Sequence, residues 1–192
     1  MKNLLIDTTA FKPTIRESKT KPGVFEVEGL LQKAGAKNQN GRVYEKSILK
    51  RECDRYTNEF INNGNAFGEL DHPESAIVSL KNASHIVKEI WWEGEDLMGR
   101  IELLNTPSGN IVKQIIQAGH TVGISSRGTG SVQQTNESTL EVQDDFELVC
   151  WDFVSNPSTH GAFMNPISLN ESKETLDKYA RVHSIINDIL RS

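Results

Sequence analysis

An α+β fold, with a β-barrel or strongly curved sheet surrounded by helices, is predicted by three features of the chain. Short apolar segments of period two recur and are separated by turns rich in Gly, Asn and Asp. Few stretches keep apolar residues at helical spacing. The 192 residues suffice for one full core and are too few for two ordinary domains, so strands and helices must share that core.

Taken in order, residues 1–22 carry Lys2, Lys12, Arg16, Lys19 and Lys21 against Asp7 and Glu17, with Pro13 and Pro22, and read as a basic, flexible leader. A domain spanning 23–167 follows. Val24 to Leu31 is expected to be a strand. Tyr44 to Asn63 is expected to be a helix, because Ile48, Leu49, Cys53, Tyr56, Phe60 and Ile61 recur at helical spacing before Asn63-Gly64 ends it. From Ser84 the period changes to two, with Ile86, Ile90 and Trp92 on one face. Leu97, Gly99, Ile101 and Leu103 follow the Glu93-Gly94-Glu95-Asp96 turn, which makes a β-hairpin.

Thr106-Pro107 is an N-cap and first-turn pair for a helix whose stripe of Ile111, Val112, Ile115, Ile116 and Ala118 stops at Gly119. Short strands then alternate with turns: Thr121 to Ser125, Gly130 to Gln134, Leu140 to Gln143, and Phe146 to Val154. Residues 168–192 are expected to form an amphipathic C-terminal helix on Leu176, Tyr179, Val182, Ile186, Ile189 and Leu190, with Ser168 and Glu171 as its capping box.

Composition excludes several classes of function. The net charge of −5 is mild, and its cations are scattered rather than gathered into a phosphate-tracking stripe, so no nucleic-acid partner is expected. Cys53 and Cys150 lack metal-ligand spacing and suit a reducing compartment. Three consecutive apolar residues near the start are too few for a signal-peptide core, and nothing approaches the roughly 18 of a membrane span, so no membrane partner is expected. No cofactor motif is present.

The chemistry-bearing residues fall in three places. Gly68-Glu69-Leu70-Asp71-His72-Pro73 offers an imidazole in a polar loop, Gly123-Ile124-Ser125-Ser126-Arg127-Gly128 offers two hydroxyls, and Cys150-Trp151-Asp152 offers a carboxylate. A serine hydroxyl is a weak nucleophile that needs an imidazole base and donors for the developing oxyanion. Adjacent serines on a strand face opposite ways, so only one can attack, and position alone does not choose between Ser125 and Ser126. Arg127 and the backbone at Gly128 are candidate oxyanion donors, although Arg-Gly-Thr-Gly is also an ordinary tight turn. Asp152 needs a partner in a strand-like run, and an imidazole would be one. His85 and His120 are better explained as packing or capping residues. Glu69, Asp71 and His72 have metal-ligand spacing, but no further ligand set accompanies them, so no metal site is assigned.

Together these motifs resemble those of phage prohead maturation proteases of the T4-like type, a family related in fold to the herpesvirus assemblins. The resemblance runs from Gly23 to Pro157 and rests also on Lys21-Pro22-Gly23, Trp91-Trp92-Glu93-Gly94, Gly99-Arg100 and Ala118-Gly119. It implies an assemblin-like fold with His72 as base, Ser125 as nucleophile and Asp152 as third member, although assemblins use a second histidine there and His160 lies a little further along. It implies cleavage of scaffold and capsid proteins inside an assembling procapsid in the host cytoplasm. It also implies cutting after glutamate, with an aliphatic residue two positions before and a small residue after. Ile15-Arg16-Glu17 before Ser18 and Leu169-Asn170-Glu171 before Ser172 fit that pattern, so the chain itself is an expected substrate, trimmed to residues 18–171. Arg100, Arg127 or a lysine is the expected glutamate-binding cation, and a homo-oligomer is left open. The competing expectations are a non-catalytic, scaffold-binding protein on the same fold and a metal-dependent hydrolase.

Overall fold

The computed structural model describes residues 3–10, 14–17, 24–73, 75–136 and 138–155. Along the chain these form β1 (Asn3–Ala10), β2 (Thr14–Glu17), β3 (Phe25–Lys33), β4 (Arg42–Val43), α1 (Lys46–Tyr56) running on into a π-helical turn (Thr57–Ile61), and β5 (Phe67–Glu69). A 3₁₀ turn (Leu80–Asn82) leads to β6 (Ala83–Glu93), β7 (Asp96–Leu103), α2 (Pro107–Gln117), β8 (Gly123–Gly130), β9 (Val132–Asn136), β10 (Thr139–Val142) and β11 (Glu147–Val154). The expected C-terminal helix, its Ser168, Glu171 and Ser172, and also His160 and Ser18, lie outside the described residues.

Three sheets result, with strand orders β1-β8-β11, β2-β3-β7-β6-β5 and β4-β10-β9. None of them closes, which corrects the expected barrel to a mostly-sheet α+β arrangement. A barrel needs a ladder between every pair of neighbouring strands. Here β5 has only three residues, and its continuation reaches β11 through the single parallel bridge Leu70↔Phe153. Period-two patterning reports strands and faces; it carries no information on whether the last strand meets the first.

The hairpin of β6 and β7 turns at Gly94, whose φ of 63° suits glycine, and β3 pairs antiparallel with β7. On α2, Pro107 occupies the first turn and the Thr106 hydroxyl accepts from the Gly109 amide at 3.1 Å. Helix α1 buries Ile48, Leu49, Cys53 and Tyr56 as expected, and also Glu52. It starts later than Tyr44 because Glu45 is extended.

The first residues differ from the expected flexible leader. Asn3–Ala10 is a full strand, antiparallel to β8 over eight register pairs, and Thr14–Glu17 pairs with β3. Leu5 is buried, and so is Asp7, whose carboxylate accepts from Arg42 Nη1 at 2.9 Å, from Asn40 Nδ2 at 2.9 Å and from the Tyr44 hydroxyl. A charge-rich composition hid an edge strand that needs only one apolar face, and its acid finds partners more than thirty residues away.

The two large sheets meet where β5 runs into β11. Gly68 has no Cβ because one there would strike the Trp151 carbonyl oxygen and the His85 ring. His85, fully buried, donates from Nε2 to that carbonyl at 3.0 Å, and its Nδ1 therefore accepts from the Ser84 hydroxyl at 2.8 Å. The Glu69 amide donates to Asp152 Oδ1 at 2.9 Å, and the Asp71 amide donates to the Phe153 carbonyl at 2.8 Å. Burial pushes the His85 pKa down to about 4 from 6.5, against an opposing pull from Asp152.

Two expectations follow from this junction. Gly68→Ala forces backbone apart, and urea unfolding should show a loss of about 2–3 kcal/mol, the upper range for overpacking. Between pH 6.5 and 4 the unfolded chain binds a proton at His85 that the folded chain refuses, so stability falls as pH falls across that window. The contribution is about 3 kcal/mol, and His85→Gln should flatten the stability–pH curve there.

Candidate active site

Strand β8 is the middle strand of its sheet, so the sequence from Gly123 to Gly130 is laddered on both sides, to β1 and to β11. The pleat alternates its side chains. Ser125 lies opposite Asp152, Ser126 opposite Trp151 and Arg127 opposite Cys150. Directly opposed residues share a face, so Ser125, Arg127, Cys150 and Asp152 crowd one side of the sheet. Ser126 turns to the other side, where its hydroxyl donates to the Asp7 carbonyl at 3.2 Å and Trp151 packs edge-on to Tyr56, ring centres 5.1 Å apart. The choice that the sequence left open between the serines is therefore a matter of face: Ser125 shares a side with the carboxylate, and Ser126 does not.

That alignment depends on a bulge in β11. The register shifts between Leu148 and Cys150, which inserts Val149 as an extra residue and sets Cys150 and Asp152 on the face of Arg127 and Ser125. Helix α1 holds the bulge. Glu52, nearly fully buried, accepts from the Leu148 amide at 2.9 Å; Arg55 donates to the Leu148 carbonyl at 2.6 Å and Arg51 to the Phe146 carbonyl at 3.0 Å. Backbone groups freed by the bulge thus find side-chain partners.

His72 enters from the other sheet. It follows Asp71, the non-glycine residue with positive φ (64°) among those described, and this left-handed turn swings the chain off β5 and over β11. His72 Nδ1 lies 3.2 Å from Asp152 Oδ2. A carboxylate only accepts, so Nδ1 carries the proton and Nε2 is left as the free lone pair. Nε2 is buried and makes no hydrogen bond among the described residues. An open cleft of about 390 Å³ adjoins the imidazole, lined by Leu70, Asp71, His72, Pro73, Asn82 and Ser108.

Asp152 carries more than the imidazole. Arg127, with no exposed surface, sets Nε 2.9 Å from Asp152 Oδ2 as an ion contact and donates from Nη2 to Asp152 Oδ1 at 3.2 Å. The same guanidinium donates to Glu69 Oε1 at 2.8 Å, to Cys150 Sγ at 3.1 Å and, from Nη1, to the Ser75 carbonyl at 2.6 Å. Burial pushes the Asp152 carboxyl upward; the hydrogen bond from His72, the charge of Arg127 and the Glu69 amide outweigh it and hold the pKa below the usual value. The carboxylate stays ionised, as a group that stabilises an imidazolium must.

Other candidates are placed elsewhere or differently. The Arg127 guanidinium is committed to Asp152, Glu69 and Ser75, and Gly128 lies inside a central strand where it makes room for the Phe146 ring, 2.5 Å from where a Cβ would sit. The expected glycine-rich loop is thus a strand, and its glycines serve packing. Arg100 lies on the five-stranded sheet, paired with Glu28 at 2.7 Å and Glu89 at 2.8 Å. Glu69 and His72 do not combine as ligands, because Glu69 turns to Arg127 and to the Ser79 amide at 3.0 Å. The contribution of Glu69 escaped the sequence reading. Its one signal was an arginine among small residues of a strand, which when buried requires an acid beyond Asp152.

A family model described as prohead core protein serine protease matches residues 6–174. The prohead core protein protease of Enterobacteria phage T4 is 37% identical over 156 residues, covering 80% of this chain and 73% of the relative. Among solved structures, the bacteriophage T4 capsid assembly protease gp21 superposes with a TM-score of 0.76 at 33% identity, covering 81% of this chain and 99% of that one.

The left-handed turn before His72 makes a prediction about stability. Asp71→Gly should be tolerated in thermal melts, whereas Asp71→Val, whose branched side chain is excluded from positive φ, should cost about 1–2 kcal/mol.

Proposed function

Because the chain belongs to the prohead core protein serine protease family, we propose that it is a serine endopeptidase of capsid maturation in which His72, Ser125 and Asp152 perform the chemistry. The observation that carries this reading is the cross-strand pairing of Ser125 with Asp152, combined with an imidazole that presents Nδ1 to the same carboxylate and keeps Nε2 unbonded.

His72 Nε2 takes the Ser125 proton as Oγ attacks the scissile carbonyl, and Asp152 stabilises the imidazolium through Nδ1. Collapse of the tetrahedral adduct breaks the C–N bond while the imidazolium returns its proton to the leaving amine. A water, deprotonated by the same imidazole, then releases the acyl group and regenerates the hydroxyl. Ser126, bonded to the Asp7 carbonyl on the opposite face, takes no part.

The substrates in this reading are the scaffold and capsid proteins enclosed in the assembling prohead within the host cytoplasm, and the chain itself. Cleavage falls after glutamate in aliphatic-x-Glu followed by a small residue, which selects Glu17-Ser18 and Glu171-Ser172 and leaves residues 18–171. Glu17 ends β2, an edge strand of its sheet, where a bond is more readily reached than in a central strand.

Mass spectrometry of wild type, Ser125→Ala and Ser126→Ala, each incubated with a peptide containing Leu-x-Glu-Ser, tests this. Wild type and Ser126→Ala should cut after glutamate, and Ser125→Ala should lose activity by at least about 10³-fold. Equal cleavage by Ser125→Ala would remove the serine from the mechanism. No cleavage by any of the three would favour a non-catalytic assembly role.

A further inference from the structure

We infer that Glu69 is a positioning residue of the proteolytic centre, acting through Arg127 on both the charge that Asp152 presents to His72 and the seat of the loop that carries His72. The inference rests on the triad reading above and extends it to a buried acid outside the triad.

Two observations carry it. The first is the distribution of charge. Asp152, Glu69 and Arg127 are each fully buried, and the guanidinium bridges the two carboxylates at 2.8 Å and 2.9 Å. Without Glu69, Arg127 and Asp152 would form a neutral pair, and a carboxylate already neutralised gives little support to an imidazolium. With Glu69 the cluster keeps one surplus negative charge while His72 is neutral. That surplus is cancelled when His72 takes the serine proton, so the Glu69–Arg127–Asp152–imidazolium cluster is neutral while the negative charge moves to the tetrahedral oxyanion.

The second observation is mechanical. Glu69 Oε1 accepts from the Ser79 amide at 3.0 Å, and Arg127 donates to the Ser75 carbonyl at 2.6 Å. The pair therefore grips both ends of the segment after His72, while the Asp71 amide is tied to Phe153 before it. Moving the Glu69 carboxylate moves this segment relative to Asp152.

Among the described residues, the charged and titratable groups that face Asp152, the partner of His72, are Cys150 on its own strand β11, Arg127 on β8, His85 on β6 and Tyr56 on α1; Glu69 on β5 reaches it through its amide and Arg127, and Asp71 precedes His72 in the loop. Burial keeps the Cys150 thiol and the Tyr56 hydroxyl protonated, and His85 stays neutral above about pH 4. Arg127, Asp152 and Glu69 are thus the buried charges that a substitution can rebalance.

The test is the acid limb of kcat/KM against pH, measured on the full chain with the Leu-x-Glu-Ser peptide and compared with melting temperature. Glu69→Gln keeps the shape and removes the surplus charge, so its limb should move to lower pH by about one unit and its plateau should fall by roughly tenfold or more. Glu69→Asp keeps the charge but withdraws the carboxylate by one methylene; its limb should stay in place while the rate falls. The pair Glu69→Gln with Arg127→Gln leaves no buried cation or surplus acid in excess of the triad. It should fold even where a single variant is weak, return the limb to the wild-type position and cleave faster than Glu69→Gln alone. A limb unmoved in Glu69→Gln, or a paired variant that shows only the sum of two losses, would overturn the inference. Failure of the triad itself reads out separately, as full cleavage by Ser125→Ala.

Discussion

A guanidinium with no exposed surface dictates the architecture around it. Arg127 sits in the central strand of its sheet, where water cannot solvate it, and an unpaired charge there would cost several kcal/mol. Its partners must therefore be brought in, and they come from β5, β11 and the segment after His72. Those are the elements that form the junction between the two large sheets. Gly68 lets the backbones approach, His85 latches the Trp151 carbonyl, and the Glu69 amide completes the hydrogen bonding of Asp152. Because the imidazole and the hydroxyl are carried by different sheets, the buried ion cluster that joins the sheets also fixes the distance between them. In this member of the prohead core protease family, fold and site are held by the same contacts.

The two faces of the β8 sheet divide the work. One face packs aromatic rings, Trp151 against Tyr56 and Phe146 against Tyr44 and the glycines of β8, with α1 pinning the bulge through Glu52, Arg51 and Arg55. The other face is polar, with Ser125, Arg127 and Asp152 closed over by the His72 loop. A bulge of one residue at Val149 keeps those two characters on their proper sides. Displacing it would exchange Trp151 and Asp152 between faces, which explains why three charged side chains of α1 hold three backbone groups at the start of β11, the Leu148 amide and carbonyl and the Phe146 carbonyl.

Much of this was legible in the sequence, and what was not has definite causes. The β6–β7 hairpin and α2 could be read because their signals are local: a glycine turn between period-two runs, and a Thr-Pro start with a glycine end. His72, Ser125 and Asp152 were named from residue type, order and resemblance, and the structure brings the histidine and the aspartate to 3.2 Å. The separation of Ser125 from Ser126 was not legible, because it depends on a register set by a bulge in another strand. The run after the serines looked like a turn, since glycines mark turns more often than they mark the approach of an aromatic ring such as Phe146. The N-terminal strand reads as a leader in the sequence because Asp7 finds its cation and its phenol at Arg42 and Tyr44, far beyond any local window. Glu69 was weighed as a metal ligand, because its true partner is 58 residues away.

The position of β8 between β1 and β11 also bears on when the protein becomes what it is. Its neighbours are the first and the last strands described, so the sheet joins segments far apart in sequence and its contact order is high. During synthesis β8 emerges with β1 already available but with nothing to occupy its other edge. Asp152, the bulge and the anchor for the histidine loop all arrive about thirty residues later. Neither the ion cluster nor the junction can form before then, and a nascent chain that stops short of β11 holds Ser125 and His72 without the aspartate that lies opposite the one and bonds the other. For a prohead core protease, such a topology makes synthesis through β11 a precondition for assembling the cluster around Asp152.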